Sequence, residues 1–144
     1  MLVQQILKSK AGQGVVTLKP GASVSDAAVM LSEKRIGTVV ISADGNTVDG
    51  ILSERDIVRE LGKRGAGCLK DTVDALMTKK LVTCSLSDNS DAILVQMTEG
   101  RFRHMPVLDG GRMVGLISIG DVVKAQLSEL SMEKEALQGM IMGH

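Results

Sequence analysis

Two spacings of apolar residues alternate along the chain, and the same succession occurs twice. Apolar residues recur at helical spacing in two segments, residues 24–34 and 92–99. A short apolar segment typical of a strand precedes each helix, at residues 15–18 and 81–84. Two more such segments, joined by a turn rich in glycine and aspartate, follow each helix and predict two hairpins: 38–41 with 48–52, and 105–108 with 113–117. A second helix is predicted after Ser53 and after Ser118, so each half reads β-α-β-β-α.

The two halves also match residue by residue. GILSERDIV, which begins at residue 50, matches GLISIGDVV, which begins at residue 115, at an offset of 65. Upstream the offset is 66, which pairs Thr17 with Thr83 and Thr38 with His104. The offset changes within the hairpin turn, where a difference of one residue is tolerated. The sequence is therefore an internal repeat.

The repeat divides the chain into four parts. We assign residues 1–62 to the first repeat, 63–75 to a linker, 76–128 to the second repeat and 129–144 to a C-terminal helical extension. The glycine-rich segment 62–67 is predicted to lie in the connection between the repeats. Gly100 is predicted to cap the helix before it, because glycine tolerates a left-handed helix end.

A long helix is predicted from residue 122 to about residue 142, since no strong breaker occurs before Gly139. Lys134 takes one position of a heptad-like stripe whose other members are apolar: Val123, Leu127, Leu130, Leu137 and Ile141. Such a stripe is typical of a helix that contacts a core or a partner helix. We expect a homodimer through it, and the alternative is a helix folded back on its own module. The GxxxG pattern at 139–143 carries little weight outside an apolar span.

Composition narrows the classes of function. Lysine plus arginine and aspartate plus glutamate number 17 each, and Phe102 is the only aromatic residue. A nucleic-acid partner is not expected, because such binders carry a basic excess and stacking aromatic side chains. No apolar run approaches the roughly 18 residues of a membrane span, and residues 1–10 lack the features of a secretory signal. The two cysteines are not spaced as a disulfide or metal motif, so we expect reduced thiols and a cytoplasmic protein.

Serine and aspartate recur three positions apart at both predicted strand-to-helix junctions, as Ser53 with Asp56 and Ser118 with Asp121. One such pair alone is best explained as a capping box. Its repetition after glycine and two apolar residues favours a binding role in addition. A helix N-terminus offers free amides to an anion, and a carboxylate can accept hydrogen bonds from two vicinal hydroxyls. A ribose 5'-phosphate carries both kinds of group.

The sequence shows no catalytic or metal-binding constellation. His104 and the terminal His144 are the only histidines, which leaves no ligand set for zinc. The motifs of serine hydrolases, zinc proteases and P-loop proteins are absent. We therefore expect neither an enzyme nor a metal site.

The Gly-apolar-apolar-Ser-x-x-Asp element after a β-α-β-β unit resembles the cystathionine beta-synthase (CBS) domain, and two in tandem resemble a Bateman module. RFRHMP from residue 101 and ISIGDVVK from residue 117 are similar to short stand-alone bacterial CBS-pair proteins. The resemblance covers about residues 7–127. It implies an α+β fold of two β-α-β-β-α repeats related by pseudo-twofold symmetry, with two clefts that are each built from both repeats.

The resemblance also implies how the clefts are formed, because it places the first strand of one repeat against the Ser-x-x-Asp element of the other. One cleft would then contain Val16, Thr17, Ser118, Ile119, Gly120 and Asp121. The other would contain Ser53, Arg55, Asp56, Leu81, Val82 and Thr83. The aspartates would bind the ribose hydroxyls, the threonines would lie near the base or ribose, and the strand backbone would contact the adenine edge.

A phosphate would be met at the start of the central strand of the second repeat, whose predicted site residues are Arg103, His104, Met105 and Pro106. The alternative for the two basic residues is a solvated edge beside the cleft. Thr38, also a predicted site residue, is the counterpart of His104 in the first repeat. Arg55 is another candidate for the phosphate, and Gly120 takes its place in the second repeat. The two clefts are therefore not expected to be equivalent.

The resemblance favours a regulatory module that binds AMP or a related adenosyl ligand: ADP, ATP, NAD(H) or S-adenosylmethionine. Ligand binding would bias the arrangement of a homodimer, to an extent limited by its differential affinity for the two states, and an unidentified regulated protein would respond. The second hypothesis is an interaction scaffold whose clefts no longer bind nucleotides. A third and weaker one is an enzyme.

Overall fold

The computed structural model describes residues 1–10 and 14–141. Two small sheets and their helices form the two repeats, in the order α1 Val3–Ser9, β1 Thr17–Leu18, α2 Val24–Lys34, β2 Thr38–Ile41, β3 Gly50–Ser53, α3 Glu54–Arg64, a 3-10 helix Gly65–Lys70, α4 Val73–Leu76, α5 Ser90–Gly100, β4 His104–Asp109, β5 Arg112–Ser118 and α6 Ile119–Ile141. The α+β class and the two hairpins are confirmed.

The first repeat is a three-stranded sheet in the order β1-β2-β3. β1 runs parallel to β2, and β2 runs antiparallel to β3. Every residue of β2 is buried, as expected of the central strand in a covered sheet. The core of this repeat consists of Val24, Ala27, Leu31, Val39, Ile41, Leu52, Ile57 and Val73.

In the second repeat the hairpin of β4 and β5 forms as predicted, whereas the predicted strand at 81–84 does not form. Only Cys84 makes a parallel bridge, to Val107. Thr78, three residues before this segment, pairs with Ile51 of β3, and the amide of each residue donates to the carbonyl of the other. This pairing holds the chain at the edge of the first repeat's sheet, and Val82 and Thr83 remain exposed.

Each repeat receives a short helix from outside its own β-α-β-β-α unit. The amides of Val3 and Gln4 in α1 donate to carbonyls beside α5, and Val3 and Ile6 are buried in the core of the second repeat. Conversely, the amide of Val73 in α4 donates to the carbonyl of Ala22, and Val73 is buried in the core of the first repeat. The two repeats are thereby interlocked.

The segment between the repeats, predicted as a glycine-rich connection, is helical. α3 continues to Arg64, and the 3-10 helix follows directly. Cys68 in this 3-10 helix is fully buried, and burial of an apolar side chain stabilises a turn that the glycines alone would leave open. Both cysteines are free.

The prediction for Gly100 is wrong in detail. The left-handed residue that ends α5 is Arg101, with φ of 56°, and Gly100 is the last helical residue. A Cβ at position 100 would lie 2.4 Å from Cε1 of Phe102. Any side chain at position 100 would have to displace this phenyl ring.

The long C-terminal helix α6 begins at Ile119, directly after Ser118 as predicted, and reaches Ile141. Its buried residues are Val122 and Ala125. The apolar stripe further along is exposed, with side chains 62% exposed at Leu127, 60% at Leu130, 59% at Leu137 and 84% at Ile141. In the described part of the chain, α6 therefore packs on its own module through its first turns, and the apolar stripe further along is left uncovered. Residues 142–144, with the second glycine of the GxxxG pattern, lie outside the described residues.

None of the helices in residues 1–10 and 14–141 has both the length and the apolar character that a membrane crossing requires.

The interlocking of the repeats leads to a test in α1. Ile6 is 2% exposed and belongs to the core of the second repeat. Ile6→Ala is expected to lower the free energy of unfolding by about 2 to 4 kcal/mol, because it removes buried methyl groups and leaves a cavity. Urea denaturation measures the change.

The matched control is Lys8→Ala, an exposed position of the same helix. It is expected to change stability by less than about 0.5 kcal/mol. Equal stability of the Ile6→Ala protein and the wild type would show that α1 does not complete this core.

Candidate functional site

Two clefts lie on either side of the point where the central strands of the repeats meet. The Oγ1 atom of Thr38, at the start of β2, is 3.0 Å from Nδ1 of His104, at the start of β4. The two positions are equivalent in the repeat, so this contact marks the pseudo-twofold axis. Both residues line both clefts.

Equivalent backbone hydrogen bonds fix the helix that opens into each cleft. The first amide of α3, from Glu54, donates to the carbonyl of Gly37 over 2.9 Å. The first amide of α6, from Ile119, donates to the carbonyl of Arg103 over 2.8 Å. Each helix therefore starts beside the start of a central strand, and its first turn faces the space between the repeats.

The first cleft, which we name the Asp56 cleft, has a volume of about 440 Å³. It brings together eight of the predicted site residues: Thr38, Ser53, Arg55, Asp56, Leu81, Val82, Arg103 and His104. The side chains come from both repeats, as predicted. Its size lies within the range of small-molecule sites.

The second cleft, which we name the Asp121 cleft, has a volume of about 700 Å³. It brings together five of the predicted residues: Val16, Thr38, His104, Ser118 and Asp121. Here too the segment before the first repeat's β1 faces the Ser-x-x-Asp element of the second repeat.

Six predicted site residues line neither cleft: Thr17, Thr83, Met105, Pro106, Ile119 and Gly120. Met105 and Pro106 lie buried within β4, and Ile119 packs against the core of the second repeat. Thr17 pairs with Val40 in the sheet. Their roles toward a ligand stay predictions.

Asp56 closes a capping box and reaches the cleft with the same carboxylate. Its Oδ2 accepts hydrogen bonds from the amide and the hydroxyl of Ser53, each over 2.9 Å. The amide of Asp56 donates in return to Oγ of Ser53 over 3.3 Å. Its Oδ1 accepts from Nη1 of Arg59 over 3.3 Å. The capping box thus uses Oδ2, and Oδ1 contacts Arg59, a residue that lines the cleft.

Asp121 repeats the capping box and adds a lysine. Its Oδ2 accepts from the amide of Ser118 over 2.9 Å and from Nζ of Lys10 over 2.7 Å. Lys10 also donates to the carbonyl of Leu116 over 2.9 Å. Burial raises the pKa of the Asp121 carboxyl, but the hydrogen bonds from Lys10 and Ser118 outweigh burial and hold the pKa below its ordinary value. The carboxylate is therefore ionised at neutral pH.

Sequence reasoning missed several charged residues of the clefts: Lys10, Lys34, Glu54, Arg59, Lys80 and Arg101. Arg59 follows Asp56 by three positions, and this helical spacing could have indicated it. Arg101 is the first residue of the RFRHMP stretch, which carries part of the family resemblance. Lys10 had no such signal, because its counterpart 66 positions later is Leu76.

His104 lies at the pseudo-twofold axis, and its surroundings disfavour the charged form of its imidazole. Burial lowers the pKa of its imidazole, Lys10 and Arg103 lower it further, and Asp121 and Glu54 oppose them. The ring is therefore neutral at pH 7. Among the described residues, no three histidine, cysteine or acidic side chains lie together as a metal site would require.

Comparisons with known proteins agree with this architecture. The family model of the CBS domain matches residues 9–63 and 73–128. The crystal structure of a CBS-domain containing protein from Agrobacterium tumefaciens superposes with a TM-score of 0.83 at 43% identity, over 88% of this chain and 99% of that one.

Two further relatives set the range of the similarity. The mitochondrial CBS domain-containing protein CBSX3 of Arabidopsis thaliana is 32% identical over 125 residues, and the match spans 84% of this chain but 61% of that protein. A CBS domain protein from Pyrobaculum aerophilum, complexed with AMP, has a TM-score of 0.76 at 23% identity, over 92% of this chain and 99% of that one. The last similarity is one of fold.

The buried imidazole leads to a test of stability against pH. In the unfolded chain His104 titrates near pH 6.5, whereas burial lowers its pKa in the folded protein. Below about pH 6.5 the unfolded state binds a proton that the folded state does not. Stability is thus full above this pH and falls as the pH drops toward the folded pKa. His104→Gln is expected to flatten this part of the profile, measured as urea midpoints between about pH 5 and about pH 7.5.

The control is Thr38→Val, which removes the hydrogen-bond partner of His104 but keeps the imidazole. It should retain the slope of the wild type. Identical slopes for the wild type and the His104→Gln protein would contradict the assigned burial.

Proposed function

This chain belongs to the CBS domain family, and from that premise we propose that it is a regulatory, non-catalytic module that binds adenosine nucleotides in the clefts between its repeats. The observation that carries the proposal is the duplicated aspartate. Each copy is held by a capping box at the start of a helix, at the edge of a cleft to which both repeats contribute.

The proposed role of the aspartates is to accept hydrogen bonds from the ribose. Capping occupies one oxygen of Asp56, and within residues 1–10 and 14–141 the other accepts only a long bond from Arg59, whose side chain is 62% exposed. Such a bond contributes little in water and can be exchanged for a ribose hydroxyl. At Asp121, Lys10 shares the capping oxygen, and Oδ1 accepts no hydrogen bond from the described residues. Both carboxylates thus keep capacity for a ligand.

Aliphatic residues would hold the base. Val16 lines the Asp121 cleft, and Leu81 and Val82 line the Asp56 cleft. Aromatic stacking is not available in the Asp121 cleft, because Phe102, the chain's only aromatic residue, lines the Asp56 cleft. Apolar contact with the purine faces and hydrogen bonds to the strand backbone supply the affinity instead. The AMP complex of the Pyrobaculum aerophilum protein, which shares this fold, supports an adenosyl ligand.

The phosphate would be bound near the pseudo-twofold axis. Arg103 and His104 stand at the start of β4, and Arg55 lies in the first turn of α3. Guanidinium groups bind phosphate through paired hydrogen bonds, and the amides of the helix start add to the attraction.

The proposed response to the ligand passes through a homodimer in the cytoplasm. The exposed apolar stripe on α6 supplies a surface for a second copy, and apolar residues in this pattern pair helices. A nucleotide would shift the arrangement of the two modules by its differential affinity for the two states. A regulated protein would recognise the result.

The nature of the ligand is tested directly by mass spectrometry of the small molecules that the purified, denatured protein releases. An adenosyl compound in stoichiometric amount supports the proposal. If no adenine nucleotide raises the melting temperature of the protein, an interaction scaffold is favoured. Ligand at about 100 times its Kd would raise the free energy of unfolding by about 2.7 kcal/mol.

Removing the charge of either aspartate tests the ribose role. Asp121→Asn and Asp56→Asn are each expected to weaken AMP binding at their own cleft by about 1.5 to 3 kcal/mol, roughly tenfold to a hundredfold, because charge-assisted hydrogen bonds are lost. Asparagine keeps a side-chain oxygen for the capping box. Calorimetric titration measures the affinities.

The matched control is Asp26→Asn, in the first turn of α2 and outside both clefts. It should leave AMP affinity unchanged. If the Asp121→Asn and Asp56→Asn proteins bind AMP as tightly as the wild type, the aspartates do not contact the ribose.

A charge within the apolar stripe tests the dimer. Leu130→Glu combined with Leu137→Glu is expected to convert a dimer into a monomer, because two carboxylates would have to be buried at the seam. Sedimentation velocity at one protein concentration distinguishes the two states. Glu135→Lys, an exposed substitution beside the stripe, is the control and should remain dimeric. A monomeric wild type would rule this seam out.

A further inference from the structure

The two clefts carry different charges although they descend from one repeated unit. We infer that the Asp56 cleft selects nucleotides with more than one phosphate, whereas the Asp121 cleft does not. This inference rests on the proposed function and specifies the ligand of one of its two sites.

Cationic side chains concentrate in the Asp56 cleft. Its lining contains two acidic residues, Glu54 and Asp56, and five cationic ones: Arg55, Arg59, Lys80, Arg101 and Arg103. The Asp121 cleft has Asp121 with two lysines, Lys10 and Lys34, and Lys10 is already bonded to Asp121. The excess of positive charge is therefore three in the Asp56 cleft and one, on Lys34, in the Asp121 cleft.

Glycine occupies the counterpart of three of these cationic positions. In the repeat Arg55 corresponds to Gly120, Lys80 to Gly14 and Arg103 to Gly37. Each arginine or lysine lines the Asp56 cleft, whereas Gly14 lines the Asp121 cleft and Gly37 lines both clefts. In each of these three equivalent pairs, the residue of the Asp56 cleft is cationic and its counterpart in the other repeat is glycine.

The backbone does not require these glycines. None of them has a positive φ. A Cβ at Gly14 would meet nothing within 4 Å, and at Gly37 and Gly120 the nearest atoms lie at 3.5 and 3.6 Å, ordinary contact distances. A side chain is therefore sterically allowed at all three positions, and the difference between the clefts is one of charge.

The cations of the Asp56 cleft are available to a ligand. Across residues 1–10 and 14–141, Arg55, Lys80 and Arg103 have no acidic partner at ion-pair distance, and Arg59 alone among the five is paired, with Asp56. Each phosphate beyond the first adds negative charge and acceptor oxygens, which further guanidinium and ammonium groups can bind. A monophosphate would leave part of this charge uncompensated.

In the Asp121 cleft, one of the two lysines already has hydrogen-bond partners within the protein. Lys10 donates to both Asp121 and the carbonyl of Leu116, and a ligand that turned it toward a phosphate would break both bonds. Only Lys34 remains there for a longer phosphate chain, whereas the Asp56 cleft offers several cationic side chains.

The test is calorimetric titration of the full chain with AMP, ADP and ATP in magnesium-free buffer. The wild type is expected to bind ATP about tenfold or more tightly than AMP at one site, which corresponds to about one charge-assisted contact. The variant Arg55→Gly/Arg103→Gly gives the Asp56 cleft the residues of its counterpart. Its preference for ATP over AMP is expected to fall to about threefold or less.

The converse variant, Gly14→Lys, adds an ammonium group to the Asp121 cleft at the counterpart position of Lys80, since Gly14 lines this cleft and not the Asp56 cleft. It is expected to bind a second ATP with preference over AMP, a gain that a misfolded protein could not show. Lys79→Gly is the control, since Lys79 is exposed and adjoins Lys80 but lines neither cleft. It should retain the selectivity of the wild type.

The outcomes separate this inference from the proposed function. Binding of AMP and ATP with equal affinity in the wild type would overturn the inference and leave the proposed function standing. An ATP preference that persists in Arg55→Gly/Arg103→Gly would also overturn it. Failure of every adenine nucleotide to bind the wild type would overturn both.

Discussion

Each hydrophobic core of this protein is closed by a helix that comes from outside its own repeat. Val3 and Ile6 of α1 are buried with the second repeat, and Val73 of α4 is buried with the first. Because burial of apolar side chains is the main stabilising force, the two cores hold the repeats together. The clefts exist only between the repeats, so their geometry depends on this exchange.

The carboxylates that cap the starts of α3 and α6 can also bind a ligand. A carboxylate has two oxygens, and a capping box satisfies the main chain with one of them. Asp56 and Asp121 follow this arrangement, with Oδ2 on the amide of the preceding serine. Folding therefore fixes the position of the group before any ligand binds, which limits the entropy that binding must overcome.

At the starts of α3 and α6, symmetry holds for the backbone and fails for the charges. The two helix starts are anchored by equivalent hydrogen bonds to the carbonyls of Gly37 and Arg103, yet the residues that bear those carbonyls differ by a guanidinium group. Backbone geometry responds to pattern and burial, both of which the repeat shares. Electrostatics depends on single side chains, so two copies of one fold can come to favour ligands of different charge.

The sequence by itself determined the repeat, the two hairpins and the paired serine and aspartate, because periodicity and capping depend on residues close together along the chain. It also indicated the unequal clefts, through Arg55 and Gly120. Only the tertiary structure decided that Thr78 pairs with Ile51 and that residues 81–84 form no strand. It also decided that Lys10 binds Asp121, 111 positions away. Contacts between distant segments leave no local pattern, since they arise from how the two repeats interlock.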